Sequence, residues 1–354
     1  MKKILIGSLI GILIVSIAFI GIGCKTTSTV ASESTASVTT AAATTAAETT
    51  AAATTAAKKV TIGFSFYDFK ISYFVLMDAG AKDYCKAQGW DYISQDEKSD
   101  ETNMVTGCED LINQGISALC VSPFKPEALG AVVEAAHAKN IPVIISDIGT
   151  GDYAYDAFIV SDNIGGGKLA GEYLINYFKN KGVTGAVEVG VMRIDPSNVA
   201  NHSRGDGFIE VVEAAGYKVV KDMIIQEATA DSAYPVAKDV ITANPNIKAI
   251  FCTNDNMATG AAQAAIDSNK PDIAVIGFDG QEVALQSIDN GTMLATVMQY
   301  PYKFGQIACE LAGKFINGET PEFNMPETKT MFVPIEMIDK SNVAKAWEEV
   351  NKAK

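Results

Sequence analysis

Alternation between strand-like and helix-like segments constrains the fold more than any other feature of this sequence. Short apolar runs such as VTIGFSF, ISALCVS, IPVIISD and IAVIGFDG recur along the chain from about residue 60. Between them lie stretches such as DAGAKDYCKAQG and EALGAVVEAAHAKN, whose apolar residues recur every three or four positions. This pattern predicts an α/β fold in which parallel sheets carry helices on both faces.

The length of the chain indicates that there is more than one such unit. The sequence has 354 residues, which is more than a single hydrophobic core usually organises. The strand-like runs are also too numerous for one open sheet. We therefore predict two doubly wound lobes, each with about five or six strands.

Polar residues follow several of the predicted strands at the point where each strand ends. Asp68, Asp147, Asn254 and Asp279 are examples from both halves of the chain. Each could be an ordinary helix cap or turn residue. Open parallel sheets, however, bind ligands just beyond the carboxyl ends of their strands. As a set, these residues predict a polar cleft between the two lobes.

The N-terminal segment has the pattern of a targeting sequence. Two lysines precede an apolar run over residues 4–22, and Gly23 stands directly before Cys24. This junction resembles the lipobox of bacterial lipoproteins, which implies a signal peptide over residues 1–23 and lipidation of Cys24. Gly21 departs from that pattern, since the family usually has leucine there, and an uncut signal anchor is the alternative. Both interpretations place the rest of the chain outside the membrane.

Residues 24–57 consist almost entirely of threonine, alanine and serine. A segment without large apolar side chains cannot offset the entropy cost of becoming ordered. We expect a disordered tether between the membrane and a folded part that starts near Lys59.

Composition excludes several classes of function. The formal net charge of −14 argues against nucleic acid as a partner, because a nucleic-acid-binding face must be basic. The chain has two histidines and no C-x-x-C pair, which argues against a zinc site. The cysteines of the folded part lie in apolar patterns and are expected to be buried free thiols: Cys85, Cys108, Cys120, Cys252 and Cys309.

Sequence motifs for cofactors and catalysis are missing. The stretch DNIGGGKLAG fails the phosphate-loop pattern, since Asp162 and Leu169 stand where glycine and serine or threonine are needed. Its glycines predict the start of a closely packed helix instead. No G-x-G-x-x-G follows a predicted strand, and the G-x-S-x-G and H-E-x-x-H motifs are absent. We therefore expect no cofactor, no metal and no enzymatic activity.

Several stretches in order resemble the periplasmic sugar-binding proteins of the ribose and galactose type, which share their fold with LacI-type repressors. The matching stretches include VSPFKPEALGAVVEAAHAKNIPVIISD, VSDNIGGGKLAGEYL, SRGDGF, IKAIFCTNDNMATGA and VIGFDG. The resemblance implies two lobes joined by a three-stranded hinge. Lobe 1 should comprise residues 59–161 and about 299–328, and lobe 2 should comprise residues 162–298 and about 329–354.

The same resemblance implies a set of sugar contacts at the positions that match the family's motifs. These are Tyr73, Phe74, Asp147, Arg204, Asn254, Asp279 and Gln299. Further candidates near the expected cleft are Tyr67, Asp68 and His202. Two positions depart from ribose binders: Ile148 stands where they carry arginine, and Ile71 where they carry asparagine. One wall of the site should therefore be more apolar than a ribose site.

The resulting functional hypothesis is a lipid-anchored binding protein that delivers a neutral sugar or polyol to an ABC permease. We expect it to act as a monomer. Two alternatives remain open at this point. The protein could instead report ligand binding to a membrane kinase or receptor, or it could be an extracytoplasmic enzyme acting on a sugar.

Overall fold

The computed structural model of the chain describes residues 59–194 and 198–353. The predicted signal peptide, the predicted tether and Cys24 lie outside these residues. Within the described part of the chain there are twelve β-strands and ten α-helices. None of the helices in this part combines the length and the apolar character that crossing a bilayer requires.

Strands and helices alternate along most of the chain. The strands are β1 (Thr61–Phe66), β2 (Asp91–Asp96), β3 (Ala118–Ser122), β4 (Val143–Ser146), β5 (Ala157–Ser161), β6 (Glu188–Arg193), β7 (Lys218–Ile224), β8 (Ile247–Cys252), β9 (Ala274–Asp279), β10 (Ala295–Met298), β11 (Thr330–Val333) and β12 (Glu336–Asp339). The helices are α1 (Ser72–Gln88), α2 (Glu101–Asn113), α3 (Gly130–His137), α4 (Asn163–Asn180), α5 (Val199–Ala214), α6 (Ala230–Ala243), α7 (Asp255–Asp267), α8 (Glu282–Asn290), α9 (Pro301–Ile316) and α10 (Val343–Val350). Short 3-10 helices lie at Pro126–Leu129 and Pro326–Thr328.

The strands form two six-stranded sheets, and each sheet is the centre of one lobe. The first has the order β11-β5-β4-β3-β1-β2, and the second has the order β12-β10-β9-β8-β6-β7. The strand pairs are parallel except for β10 and β12, which run antiparallel. The predicted fold of two doubly wound α/β lobes is confirmed.

Burial explains which segments became central strands. All five residues of β3 are buried, as are all four of β4, because helices cover both faces of a parallel sheet. The edge strands β2 and β7 carry charged, exposed residues instead. Such edges discourage pairing with other chains.

Three chain segments cross between the lobes, as a three-stranded hinge requires. They lie between β5 and α4, between β10 and α9, and between β11 and β12. The third crossing lies further along the chain than the predicted boundary near residue 328. Thr330–Val333 pairs in parallel with β5 and so extends the first sheet. Lobe 1 therefore reaches residue 333 rather than about residue 328.

Glycines allow one pair of helices in each lobe to pack with their backbones in contact. A Cβ atom at Gly80 of α1 would lie 1.9 Å from the carbonyl oxygen of Tyr302 in α9. A Cβ atom at Gly167 of α4 would lie 1.9 Å from the carbonyl oxygen of Arg204 in α5. Asp162 caps the start of α4 by accepting the N–H of Gly165. The predicted role of the glycines in DNIGGGKLAG is confirmed.

The five cysteines of the described residues are buried and free, as predicted. Cys85 of α1 and Cys309 of α9 lie with their sulfur atoms 3.5 Å apart. Their thiols pack as small apolar groups within lobe 1.

Candidate functional site

The candidate site lies where the carboxyl ends of both sheets face each other. Asp147 directly follows β4 of lobe 1, and Asp279 is the last residue of β9 of lobe 2. Tyr73 lies in the first turn of α1, which follows β1. Gln299 lies in the crossing between β10 and α9. Parallel strands bring their carboxyl ends to one edge of the sheet, so distant parts of the sequence meet here.

Asp279 is the centre of a polar network in lobe 2. Its Oδ1 accepts hydrogen bonds from Arg204 Nη1 at 2.9 Å and from Gln299 Nε2 at 2.8 Å. Its Oδ2 accepts one from Gln281 Nε2 at 3.2 Å. Burial raises the pKa of Asp279, and the positive charge of Arg204 opposes that effect.

Contacts on three sides hold the Arg204 guanidinium. Its Nε donates to Asn163 Oδ1 at 2.8 Å, and its Nη1 also donates to the carbonyl oxygen of Thr253 at 2.9 Å. The guanidinium carbon lies 3.9 Å from the centre of the Phe278 ring, within range of a cation–π interaction. Since Arg204 is only 8% exposed, its orientation is set before any ligand arrives.

Lobe 1 contributes an aromatic wall and a second carboxylate. The Tyr73 hydroxyl donates to Asp147 Oδ1 at 2.9 Å. The rings of Tyr73 and Phe74 meet edge to face at 5.4 Å, and Phe74 stacks on Tyr67 at 5.5 Å. Rings of this kind can cover the C–H surface of a sugar while hydroxyls and carboxylates bind its edges.

Charged groups of the two lobes act on each other across the cleft. Burial raises the pKa of Asp147 from 3.8 to about 6, while the Tyr73 hydrogen bond and the charge of Arg204 pull it down. The negative charge of Asp279 pushes the same pKa up. Asp147 belongs to lobe 1 and the other two charges to lobe 2, so the cleft between the lobes carries their interaction.

Backbone strain marks both cleft aspartates. Asp147 has φ 70° and Asp279 has φ 121°, in the region that residues other than glycine rarely occupy. Residues held in such conformations cost of order 1–3 kcal/mol each and concentrate at functional sites. The fold therefore places these two carboxylates at a cost in local stability.

Gln299 connects the site to the hinge. It is 5% exposed, and its Oε1 accepts a hydrogen bond at 2.8 Å from the Ser161 hydroxyl at the first crossing. Its Nε2 donates to Asp279. Two of the three crossings are thus bonded to each other and to a carboxylate of the cleft.

Two predicted site residues use their side chains in local hydrogen bonds. Asn254 caps α7 by accepting the N–H of Met257 at 2.8 Å. Asp68 accepts the N–H of Lys70 and the hydroxyl of Ser99, both at 2.8 Å. The expected roles of Asn254 and Asp68 as sugar contacts remain predictions.

His202 lies against the end of β6 rather than in the Asp279 network. Its Nε2 lies 3.0 Å from the carbonyl oxygen of Ile194, and its Nδ1 lies 3.4 Å from Arg193 Nη1. Arg193 in turn pairs with Asp206 and Asp222. A ligand contact by His202 also remains a prediction, and these partners give the ring a structural role.

Sequence reasoning missed the residues that hold the side chains of the Asp279 network in place. Ser161, Asn163 and Gln281 each bond directly to Gln299, Arg204 or Asp279. Asp255 is fully buried and accepts the N–H of Gln281 and the hydroxyl of Thr296, at 2.7 and 2.6 Å. Polar residues next to strand ends were the available signal, but only the fold shows which of them meet.

Glu97 is a buried carboxyl group at the end of β2. Its oxygens accept the Ser65 hydroxyl at 2.7 Å and the N–H of Phe124 at 2.6 Å. The Phe124 ring packs edge to face on Tyr67 at 5.3 Å. Glu97 therefore holds a loop that supports the aromatic wall, and burial raises its pKa from 4.5 to about 7.

The Glu97→Gln substitution should flatten the pH dependence of stability. The folded protein binds the proton of the Glu97 carboxyl group more tightly than the unfolded chain does. The protonated group therefore stabilises the folded state fully below pH 4.5, and this contribution is lost as pH rises through about 7. Glutamine mimics the protonated acid. The free energy of unfolding of the variant, relative to that of the parent, should therefore rise by about 2 kcal/mol from pH 5 to pH 8.5. Chemical denaturation at a series of pH values measures this difference.

Exposed Glu109 of α2 provides the control for that measurement. Its change to glutamine removes the same charge from the surface. If the two variants show the same pH dependence relative to the parent, the buried state of Glu97 does not govern the effect.

A cavity of about 520 Å³ adjoins the polar network. Tyr73, Asp279 and Gln299 line it together with Gln281 and Ile71. Its volume is within the range of about 300–1,000 Å³ that is usual for small-molecule sites. No group of three or more potential metal ligands occurs in the part of the chain that the structure describes.

Two α/β lobes, three crossings and a shared polar cleft define a two-lobed binding protein of the type I periplasmic class. The chain belongs to the periplasmic binding protein family: the periplasmic binding protein domain matches residues 62–320. The homologues of this chain are sugar-binding transport proteins, and the protein is not an enzyme.

Individual relatives agree with this assignment. The chain is 32% identical to the ribose import binding protein RbsB of Bacillus subtilis over 280 residues, covering 79% of this chain and 87% of the relative. An Actinobacillus succinogenes solute-binding protein with bound D-allose superimposes with a TM-score of 0.69 at 25% identity, covering 81% of this chain and all of that one. An Agrobacterium radiobacter protein in complex with D-arabinose gives a TM-score of 0.67 at 27% identity, covering 83% of this chain and all of that one.

Proposed function

We propose that this protein captures a sugar or related polyol between its lobes outside the cytoplasm and delivers it to an ABC importer. The observation that carries the proposal is that Tyr73, which donates to Asp147 of lobe 1, lines one cavity with Asp279 of lobe 2, the partner of Arg204. A ligand that binds these groups must contact both lobes. Its binding energy then favours the closed arrangement over an open one.

The chemistry of the cleft suits a neutral polyhydroxylated ligand. Sugar hydroxyls donate and accept, and an ionised carboxylate offers about four acceptor sites, so Asp147 and Asp279 have capacity beyond their protein partners. Arg204 supplies N–H donors, and Gln299 supplies both kinds of group. Because closure around a ligand excludes water, a ligand that leaves these groups unpaired binds poorly.

The relatives support the same substrate class. They include proteins named for ribose import and structures with bound D-allose and D-arabinose. Another relative, from Mycolicibacterium smegmatis, is named as a xylitol-binding protein and is 25% identical over 300 residues. Pentoses, hexoses and polyols are therefore the ligands to test first.

A thermal-shift panel of pentoses, hexoses and polyols tests the proposed function. Since a ligand that binds only the folded state stabilises it by RT ln(1 + [L]/Kd), a hundredfold excess over Kd adds about 2.7 kcal/mol. We expect at least one sugar to raise the melting temperature by several degrees and to be recovered unchanged. If no sugar or polyol shifts the transition at millimolar concentration, the proposal is wrong.

We further propose that the protein is anchored to the membrane through a lipid on Cys24. In the Cys24→Ser variant we expect the protein to leave the membrane fraction, because the acyl chains on this cysteine are lost. Fractionation of cells expressing the parent and the variant, followed by intact-mass measurement, checks this. Membrane association of the variant with no change in mass would indicate an uncut signal anchor instead.

A further inference from the structure

The cavity beside the polar network extends well past the groups that would bind a sugar. Tyr73, Asp279 and Gln299 line part of it. The first turns of α1 and α9 of lobe 1 and the end of α10 of lobe 2 also line it. We call the part beyond Tyr73 and Gln299 the side cavity.

The side cavity has a largely apolar wall. Its lining includes Ile71, Val75, Leu76, Met298, Pro301 and Val350. Ile71 is 43% exposed and Val75 is 36% exposed, so both present apolar surface to whatever enters. A bare sugar ring has hydroxyls on all its edges, and such a wall leaves them without partners.

Local helix stability does not account for Ile71. This residue occupies the N-cap position of α1 and makes no side-chain capping hydrogen bond. Serine, threonine, aspartate or asparagine at that position would contribute about 1 kcal/mol through capping. The chain therefore carries an exposed isoleucine where a polar residue would stabilise the helix.

We infer that the ligand is a sugar that carries an apolar substituent, such as a glycoside, rather than a free monosaccharide. The inference rests on the proposed function and names its substrate class. The sugar ring binds at Asp279, Gln299 and Tyr73. The substituent lies along Ile71, Val75 and Val350.

Matched pairs of ligands test this inference by calorimetry. The probes are D-ribose, D-allose and D-arabinose, each compared with its methyl and phenyl glycosides in both anomeric forms. We expect one phenyl glycoside to bind at least tenfold more tightly than its free sugar. Val75→Trp, which fills the side cavity, should abolish that gain and leave the affinity for the free sugar within about twofold.

Val183 gives the matched control, because it is a valine of similar exposure, 41%, in the loop after α4 and outside the cavity lining. Val183→Trp should retain the full gain. If every free sugar binds as tightly as its glycosides, the inference is overturned while the proposed function stands. If neither sugars nor glycosides bind, the proposed function fails as well.

Discussion

Replacement of Asp279 by alanine is expected to lower the affinity for the sugar by about a hundredfold or more, which is about 3 kcal/mol. Asp279 accepts hydrogen bonds from Arg204, Gln299 and Gln281. Without it the buried guanidinium has lost its counter-ion, and the hinge glutamine has lost its acceptor. Arg204 keeps its bonds to Asn163 and Thr253 but carries a buried charge without a counter-ion, and the ligand loses a carboxylate contact as well.

Calorimetry of the parent and the variant with the sugar that gives the largest thermal shift measures this effect. Asp206→Ala is the matched control, since Asp206 also pairs with an arginine of lobe 2 but is 68% exposed in its side chain. We expect Asp206→Ala to bind like the parent. Parent-like affinity in Asp279→Ala, with the fold intact by circular dichroism, would show that Asp279 does not contact the sugar.

Replacement of Gly167 by valine should destabilise lobe 2 by about 3 kcal/mol or more. The new Cβ atom would lie 1.9 Å from the carbonyl oxygen of Arg204, so α4 and α5 must separate. Backbone atoms cannot rotate away as a side chain can. Because Arg204 lies on α5 at this contact, we also expect weaker sugar binding.

Chemical denaturation checks the stability effect, and calorimetry checks the binding effect. Gly130→Val is the control, because a Cβ atom at Gly130 meets no other atom within 4 Å. That variant should stay within about 1 kcal/mol of the parent. Equal stability of the Gly167 and Gly130 variants would contradict the close packing of α4 on α5.

Sequence patterns predicted most of the fold because strands that are buried on both faces of a parallel sheet have continuous apolar sequences. Central strands such as β3 and β4 are continuous apolar runs, and their neighbours have helical periodicity. The return of Thr330–Val333 to the first sheet was placed wrongly. This strand has only four residues, and a run this short does not show which of the two sheets it joins.

The candidate site was predictable in part. Motif resemblance placed Asp147, Arg204, Asp279 and Gln299. The structure joins Arg204 and Gln299 to Asp279 by hydrogen bonds, and Tyr73, the partner of Asp147, lines one cavity with Asp279 and Gln299. Spacing in the sequence could not show that Ser161 bonds to Gln299, since the two are 138 residues apart. Contacts of this kind depend on where the hinge crossings meet, which only the assembled fold determines.

The central claim is that one sugar is held between Asp147 of lobe 1 and Asp279 with Arg204 of lobe 2. A crystal structure of the protein with the sugar that gives the largest thermal shift tests this most directly. We predict a single sugar within hydrogen-bond distance of both carboxylates, with the lobes closed around it. A sugar bound to one lobe alone, or bound away from both aspartates, would contradict the account.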